Sequence, residues 1–119
     1  MTTHSLTIPY PPSVNSYWGF QGHHRFLTAK AKEFNKLVKD IVQTTSCPNF
    51  GDARLEVSIT LYPKDKRVRD IDNSIKSTLD ALCHANVYID DSCVDVLIVD
   101  RGPICKDGKA LVTIKTIAS

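Results

Sequence analysis

The chain has 119 residues, of which 42% are hydrophobic and 24% are charged, and such proportions are typical of one globular domain. Fifteen basic residues against 13 acidic residues give a formal net charge of +2, so overall charge alone does not predict a polyanionic partner. No run of about 18 apolar residues and no signal-peptide pattern is present, which argues against a membrane protein and predicts a cytoplasmic one. The cysteines are widely spaced and form no C-x-x-C motif, so they predict neither a zinc site nor a disulfide framework.

The first half of the chain predicts a strand, a long helix and a second strand. Alternating apolar residues make 5–8 a short strand, which ends before a pair of prolines because proline cannot donate to a sheet. The turn-rich segment 13–22 is next, either as a packed surface loop or as a lip beside an active site. An apolar i, i+3, i+4, i+7 pattern then predicts a helix from an N-cap at Thr28 to about Ser46. Strict alternation over 55–62 is typical of a half-buried strand.

Three lysines, Lys32, Lys36 and Lys39, recur on a polar face of this long helix. Their spacing suits a basic stripe that follows the phosphate backbone of a nucleic acid. A solvated helix face explains the same spacing. The sequence leaves both interpretations open.

The second half of the chain predicts a basic loop, a helix and two more strands. Residues 64–69 hold five charged side chains, of which four are basic. An apolar stripe then predicts a helix over about 70–85, and the apolar run 94–99 predicts a buried strand. We expect that strand to form a hairpin with 110–117 across the turn at 106–108.

Asp70, Asp72 and Asp91 are candidate ligands of a divalent metal ion. Carboxylate oxygens suit Mg2+, which proteins usually hold with one or two carboxylates plus substrate phosphates and water. Such an ion polarises a scissile phosphate and lowers the pKa of a bound water. Asp70 and Asp72 lie at the predicted loop-to-helix junction, and Asp91 returns from the far end of that helix. A structural role is the alternative, with Asp70 as a helix cap, Asp72 in the first turn and Asp91 in a polar turn.

Lys76 and two arginines flank these acids. Lys76 lies one helical turn after Asp72, where it can orient the attacking water or stabilise charge that develops on the phosphate. Its alternative role is a salt bridge to Asp72 or Asp80, worth about 0.3 to 0.5 kcal/mol on an exposed helix. Arg67 and Arg69 supply affinity for a polyanion.

With these residues the chain resembles the RusA family of Holliday-junction resolvases, which are small endonucleases of bacteria and their prophages. The similarity covers almost the full length of the chain. It includes Tyr10-Pro11-Pro12-Ser13 with Asn15 and Tyr17, the run Arg69-Asp70-Ile71-Asp72-Asn73, Lys76, Asp80-Ala81-Leu82, and Asp90-Asp91 followed by Val94 and Asp95. The chain departs from the family at Tyr10, where Trp is common, at Val14 and in the loop 19–24.

The resemblance implies one RusA-like endonuclease domain over residues 1–119. Its expected fold is α+β, with a mixed β-sheet packed by two main helices, and its expected assembly is a homodimer. The implied enzyme uses Mg2+, with Mn2+ as a substitute, and resolves four-way junction DNA by paired nicks in opposing strands during recombination and repair. It would leave 5′-phosphate ends and act in the cytoplasm on the nucleoid of a bacterium, encoded by the chromosome or a prophage.

The same resemblance assigns roles to individual residues. Asp70, Asp72 and Asp91 match the family's catalytic, metal-binding carboxylates, and Lys76 matches its essential lysine. Asp90 matches a further acidic position, as a ligand or as a support for the ligands. The candidate DNA-binding residues are Arg67, Arg69, Lys32, Lys36, Lys39 and Asn15. Three alternatives remain open: a metal-dependent nuclease for forks or flaps, a noncatalytic junction-binding protein, and a small dimeric interaction protein.

Overall fold

Short strands and two longer helices follow one another along the chain. The computed structural model describes residues 2–67 and 69–117, so Val68 of the predicted basic loop lies outside the described residues. The elements are β1 (Thr3–Ile8), α1 (Val14–Tyr17), β2 (Trp18–Gln21), β3 (His24–Leu27), α2 (Ala29–Thr44), β4 (Leu55–Tyr62), a 3-10 helix (Ile71–Ser74), α3 (Ile75–His84), a second 3-10 helix (Asp91–Cys93), β5 (Val94–Arg101) and β6 (Lys109–Thr116). Within the described residues, no helix has the length and apolar character needed to cross a membrane.

The central sheet has four strands in the order β1-β6-β4-β5. β4 pairs with β5 in parallel and with β6 in antiparallel fashion, and β1 pairs antiparallel to β6. The expected α+β fold with a mixed sheet is therefore confirmed. The antiparallel β2–β3 hairpin forms a separate two-stranded sheet, and it begins in the segment 13–22 that was expected to be a surface loop or a lip.

The predicted hairpin between 94–99 and 110–117 is wrong, because β5 and β6 lie on opposite sides of β4. The connection from β5 crosses the end of β4, where the Gly102 N–H donates to the Leu61 carbonyl at 2.8 Å and the Cys105 N–H donates to the Pro63 carbonyl at 2.8 Å. This path delivers β6 to the central position between β1 and β4. Nearness in sequence favoured the hairpin, and the hydrogen bonds of the connection decide against it.

One face of the sheet forms the core with the two longer helices. Leu55, Val57, Ile59 and Leu61 of β4 are buried, as strict alternation predicted. Val38 of α2 and Leu82 of α3 are fully buried in the same cluster. Because burying a side chain of this size stabilises a protein by about 1.5–3 kcal/mol, this layer fixes α2 and α3 on the sheet.

β5 is an edge strand rather than the predicted buried strand. Val96, Leu97 and Ile98 are 40%, 42% and 49% exposed, respectively. A continuous apolar run is typical of a strand covered on both faces, but it is compatible with any strand whose partner is another molecule.

The 3-10 helix 71–74 and α3 together occupy the segment predicted as one helix. Two hydroxyls at this junction donate to the proline segment, from Ser74 Oγ to the Pro11 carbonyl at 3.4 Å and from Ser77 Oγ to the Pro12 carbonyl at 2.6 Å. Both serines are buried. The proline segment is therefore fixed against the start of α3, and the predicted stop at Asn86 is a left-handed residue with φ 64°.

Candidate active site

A lysine on α3 is held between two carboxylates. Lys76 Nζ lies 3.0 Å from Asp80 Oδ1, one helical turn further along α3, and 2.9 Å from Asp91 Oδ2 in the second 3-10 helix. The salt bridge to Asp80 is one of the two that the spacing predicted. The contact with Asp91 is long-range, and it joins the start of α3 to the segment that follows its end.

The return segment that places Asp91 is fixed by buried contacts. The Tyr88 hydroxyl donates to the Leu79 carbonyl at 2.6 Å, and the ring is 2% exposed. Backbone hydrogen bonds then tie this segment to the turn before β4, from the Phe50 N–H to the Val87 carbonyl and from the Ile89 N–H to the Gly51 carbonyl. Because both of its sides are anchored, this segment brings Asp91 back toward the first turn of α3.

Asp90 caps the second 3-10 helix, and its neighbour Asp91 pairs with Lys76. The Asp90 carboxylate accepts a hydrogen bond from the Ser92 N–H at 3.3 Å. Hydrogen bonds from the side chain and backbone of Ser92 lower the pKa of Asp90 below its ordinary value. This geometry favours support of the Asp91 turn over direct ligation as the role of Asp90.

The two carboxylates keep Lys76 charged. The hydrogen bond that Lys76 donates to Asp91, followed by the one it donates to Asp80, raises the pKa of Lys76 above the ordinary value of a lysine. Its side chain is 56% exposed, so the ammonium remains accessible to a phosphate group. The lysine can therefore act as a fixed cation at neutral pH.

Asp70 and Asp72, the other two candidate ligands, are exposed. Asp70 precedes the 3-10 helix in extended backbone and its side chain forms no capping hydrogen bond, so capping does not explain it. Among residues 2–67 and 69–117, no three His, Cys, Asp or Glu side chains lie close enough together to hold a metal ion. The ligand set Asp70, Asp72 and Asp91 therefore stays a prediction.

Arg67 and Arg69 share one acidic partner but differ in exposure. Asp65 lies 3.1 Å from Arg67 Nη2 and 2.8 Å from Arg69 Nη2. The Arg67 side chain is 73% exposed, whereas that of Arg69 is 22% exposed and its guanidinium lies 5.8 Å from the ring centroid of Tyr10. The sequence analysis gave both arginines the same role. Arg69 is largely covered and packs beside Tyr10, whereas the exposed Arg67 can reach a ligand.

A cleft of about 650 Å3 opens beside Asp70. Its walls are formed by the proline segment, the start of α2 and the segment that leads into α3. The lining residues are Pro9, Tyr10, Pro11, Pro12, Ser13, Ser16, Lys30, Glu33, Phe34, Leu37, Lys64, Arg67, Arg69, Asp70, Asn73, Ser74 and Asp107.

The cleft contains lysines that sequence reasoning missed. Lys30 lines it from α2, whereas the predicted basic stripe Lys32, Lys36 and Lys39 is exposed and is not part of the lining. Lys30 could have been found from its i, i+4 and i+7 spacing with Phe34 and Leu37, which line the same cleft. The DNA contacts predicted for the three other lysines and for the exposed Asn15 stay predictions.

Comparison with known proteins identifies the family of this chain. A family model described as Endodeoxyribonuclease RusA matches residues 9–115. A protein of Enterobacteria phage HK97 named crossover junction endodeoxyribonuclease rusA is 32% identical over 119 residues, which cover 100% of this chain and 99% of that protein. Proteins named crossover junction endodeoxyribonuclease RusA from Shigella sonnei (strain Ss046) and Escherichia coli (strain K12) are each 30% identical over 114 residues, 96% of this chain and 95% of theirs.

The class that these matches define is that of the endodeoxyribonucleases. Within it, the chain belongs to the RusA family.

Proposed function

We propose that the protein is an endonuclease that resolves four-way DNA junctions by paired nicks in opposing strands during recombination and repair. Homologues named crossover junction endodeoxyribonuclease over nearly the whole chain support this function. The observation in the fold that carries it is the position of Lys76, a charged lysine between Asp80 and Asp91 within one helical turn of Asp72.

Nucleases of this family depend on divalent metal ions in general. We propose Mg2+ for this protein, with Mn2+ as a substitute, held by Asp70, Asp72 and Asp91. The donors fit in chemistry, because all are carboxylate oxygens and Mg2+ needs only one or two of them beside phosphates and water. A bound ion would supply neutralisation of charge on the phosphate and acidify a water.

Lys76 would act on the phosphate itself. Preorganised cations aimed at developing charge contribute strongly to hydrolysis of phosphodiesters because they need no reorganisation during the reaction. Asp80 would hold the ammonium in place if Asp91 were also to hold the metal. In this proposal Asp80 is a positioning residue, and Lys76 is the group that contacts the substrate.

A homodimer would present two equivalent sites to the two strands that are cut. The exposed apolar edge of β5 supports one arrangement, in which a second copy pairs antiparallel to it. A two-fold axis at Ile98 would place Asp95 opposite Arg101 of the partner subunit and Leu97 opposite Val99, which are favourable cross-strand pairs. Both protomers would then share a continuous sheet.

The proposal is tested by incubating wild type and Asp72→Asn with an immobile four-way junction, with and without Mg2+. Labelled strands resolved on a denaturing gel should show symmetric nicks only for wild type with Mg2+, while both proteins shift the junction on a native gel. Binding without cutting under every condition would favour the noncatalytic protein. Equal cutting of forks and flaps would favour a broader nuclease for branched DNA.

A further inference from the structure

We propose that the cleft beside Asp70 binds one unstacked nucleotide of the DNA strand next to the scissile phosphate. The base would enter the cleft and the adjoining phosphates would lie on its basic rim. This inference rests on the proposed function and adds a specific subsite to it. It would also explain why a branched substrate is preferred to a continuous duplex.

The size and interior of the cleft fit a single nucleotide. Its volume of about 650 Å3 lies in the range of clefts that take small molecules, and it cannot admit a base-paired duplex. Tyr10, Phe34 and Leu37 give it an aromatic and apolar interior. Bases of any identity stack on such surfaces, because every base has a π-face.

Polar groups in the cleft suit the edge of a base. The Asn73 side chain forms no hydrogen bond that is described for residues 2–67 and 69–117, so both its donor and its acceptor are available. Amides of this kind recognise base edges through paired hydrogen bonds. The Glu33 carboxylate, also in the lining, can accept from an exocyclic amino group of a base.

The rim of the cleft favours phosphate. Lys30 and Lys64 have no ion pair within the described part of the chain, and Arg67 extends a largely exposed side chain. Lysine and arginine at this position can neutralise the phosphates on either side of the bound nucleotide. Because Glu33 and Asp107 would repel phosphate, the base rather than the backbone is expected to face them.

The cleft is also fixed relative to the catalytic groups. Ser74 and Ser77 hold the proline wall to the turn of α3 that carries Lys76, which lies between them in sequence. Behind Tyr10 the turn before β6 packs closely, since a side chain at Gly108 would place its Cβ 3.2 Å from the Tyr10 Cβ. A base held by Tyr10 would therefore set the position of its strand relative to Lys76.

A nucleotide at a branch point can be unstacked at a low cost in free energy. Extracting a base from a duplex costs the free energy of pairing and stacking, and this cost is smallest where the base is already unpaired. A site that requires such a base would thus select junctions over intact duplex. The selection needs no contact with the rest of the junction.

The test uses junctions that lack one base at a chosen position near the cut. Removal of the base that occupies the cleft should weaken cleavage by wild type about tenfold, as should Tyr10→Leu on the intact junction. The two changes should not add, because each removes the same stacking contact. Tyr10→Phe keeps the ring, so cleavage by this variant should remain sensitive to removal of that base.

A second variant fills the cleft instead of emptying it. Leu37 is 39% exposed, so Leu37→Trp can be introduced without disturbing the buried core, and it should weaken cleavage to a similar extent. The matched control is Leu111→Trp, at a leucine that is 37% exposed and lies outside this cleft.

The outcomes separate this inference from the proposed function. If wild type cleaves junctions while every missing base reduces its cleavage by the same factor as it reduces cleavage by Tyr10→Leu, the nucleotide site is wrong. That result would leave the proposed nuclease function intact. Normal cleavage by Leu37→Trp would also overturn the site. If wild type neither binds nor cuts any junction, the proposed function fails first.

Discussion

The carboxylates around Lys76 belong to two regions that are built differently. Asp80 and Asp91 are each within 3.0 Å of the lysine ammonium, whereas Asp70 and Asp72 are exposed and have no ion pair among the residues described. The first region has its geometry fixed by the helix and by the anchored turn at Tyr88. In the second region Asp70 lines the open cleft, and neither carboxylate has a direct partner among the described residues, so both remain available to a cation.

The largest expected effect comes from removing the shared cation. Lys76→Met should reduce the rate of junction cleavage by about 10²–10³-fold at saturating Mg2+ and DNA, because it removes a fixed charge from the phosphate. Rates under single-turnover conditions measure this effect. Lys106→Met, at an exposed lysine in the turn before β6, is the control and should cleave normally. An unchanged cleavage rate in Lys76→Met would contradict the proposed difference between the two regions.

The two regions should respond differently to a metal titration. Asp70→Asn should raise the Mg2+ concentration for half-maximal cleavage by more than about tenfold, because a ligand is lost. Asp80→Asn should lower the maximal rate and change that Mg2+ concentration less, because it only loosens Lys76. Cleavage rates across a Mg2+ series distinguish these outcomes, and identical shifts for both variants would contradict separate roles.

The proposed assembly predicts an effect confined to the edge strand. Ile98→Lys places a charge at the centre of the proposed β5 contact and should convert a dimer to a monomer, with loss of paired nicking. Leu111→Lys is the matched control, since Leu111 is 37% exposed but belongs to β6 in the interior of the sheet. Sedimentation velocity measures the state of each variant, and a dimer of Ile98→Lys would place the interface elsewhere.

The smallest effect concerns stability at acidic pH. Arg54 forms a bidentate contact with Asp95, and its hydrogen bond lowers the pKa of Asp95 below the ordinary value. A lowered folded-state pKa means that the stabilisation is present above the ordinary pKa of Asp and is lost as the pH falls through the lower, folded-state value.

Asp95→Asn should therefore lower the melting temperature near neutral pH by at most about 3 °C, because the pair is exposed. The melting curves of wild type and variant should converge as the pH falls below about 4. Thermal unfolding monitored by circular dichroism measures this difference. A difference in melting temperature that stays the same at every pH would mean that the ion pair does not cause it.

Local elements of the fold could be predicted from the sequence, and their arrangement could not. Alternation gave the burial of β4, and the apolar repeat with the cap at Thr28 gave α2 within a few residues. The order of the sheet escaped prediction because it depends on how the connection 102–108 crosses β4. The edge position of β5 escaped for a related reason, since an apolar strand does not reveal whether its partner is its own chain.

The candidate site divides in the same way. The i, i+4 spacing predicted a contact of Lys76 with Asp72 or Asp80, and the structure shows the contact with Asp80, within one helix. The contact with Asp91 depends on the return of the chain through a buried tyrosine, and no spacing rule gives it. Lys30 was not among the predicted DNA-binding residues because the lysine stripe at 32, 36 and 39 is more regular. Regular spacing on a helix shows that residues share a face, but it does not show what that face contacts.

The pairing of β1 with β6 bears on how the protein is made. These strands come from the two ends of the chain, with Thr3 opposite Lys115, and β6 also fills the space between β1 and β4. During synthesis the apolar side chains of β1 therefore remain uncovered until β6 has left the ribosome. Folding should be slow for a chain of this length, and the local contacts within α2 and α3 should form before the strands pair. A ribosome stalled before residue 109 would hold a chain that cannot close its sheet.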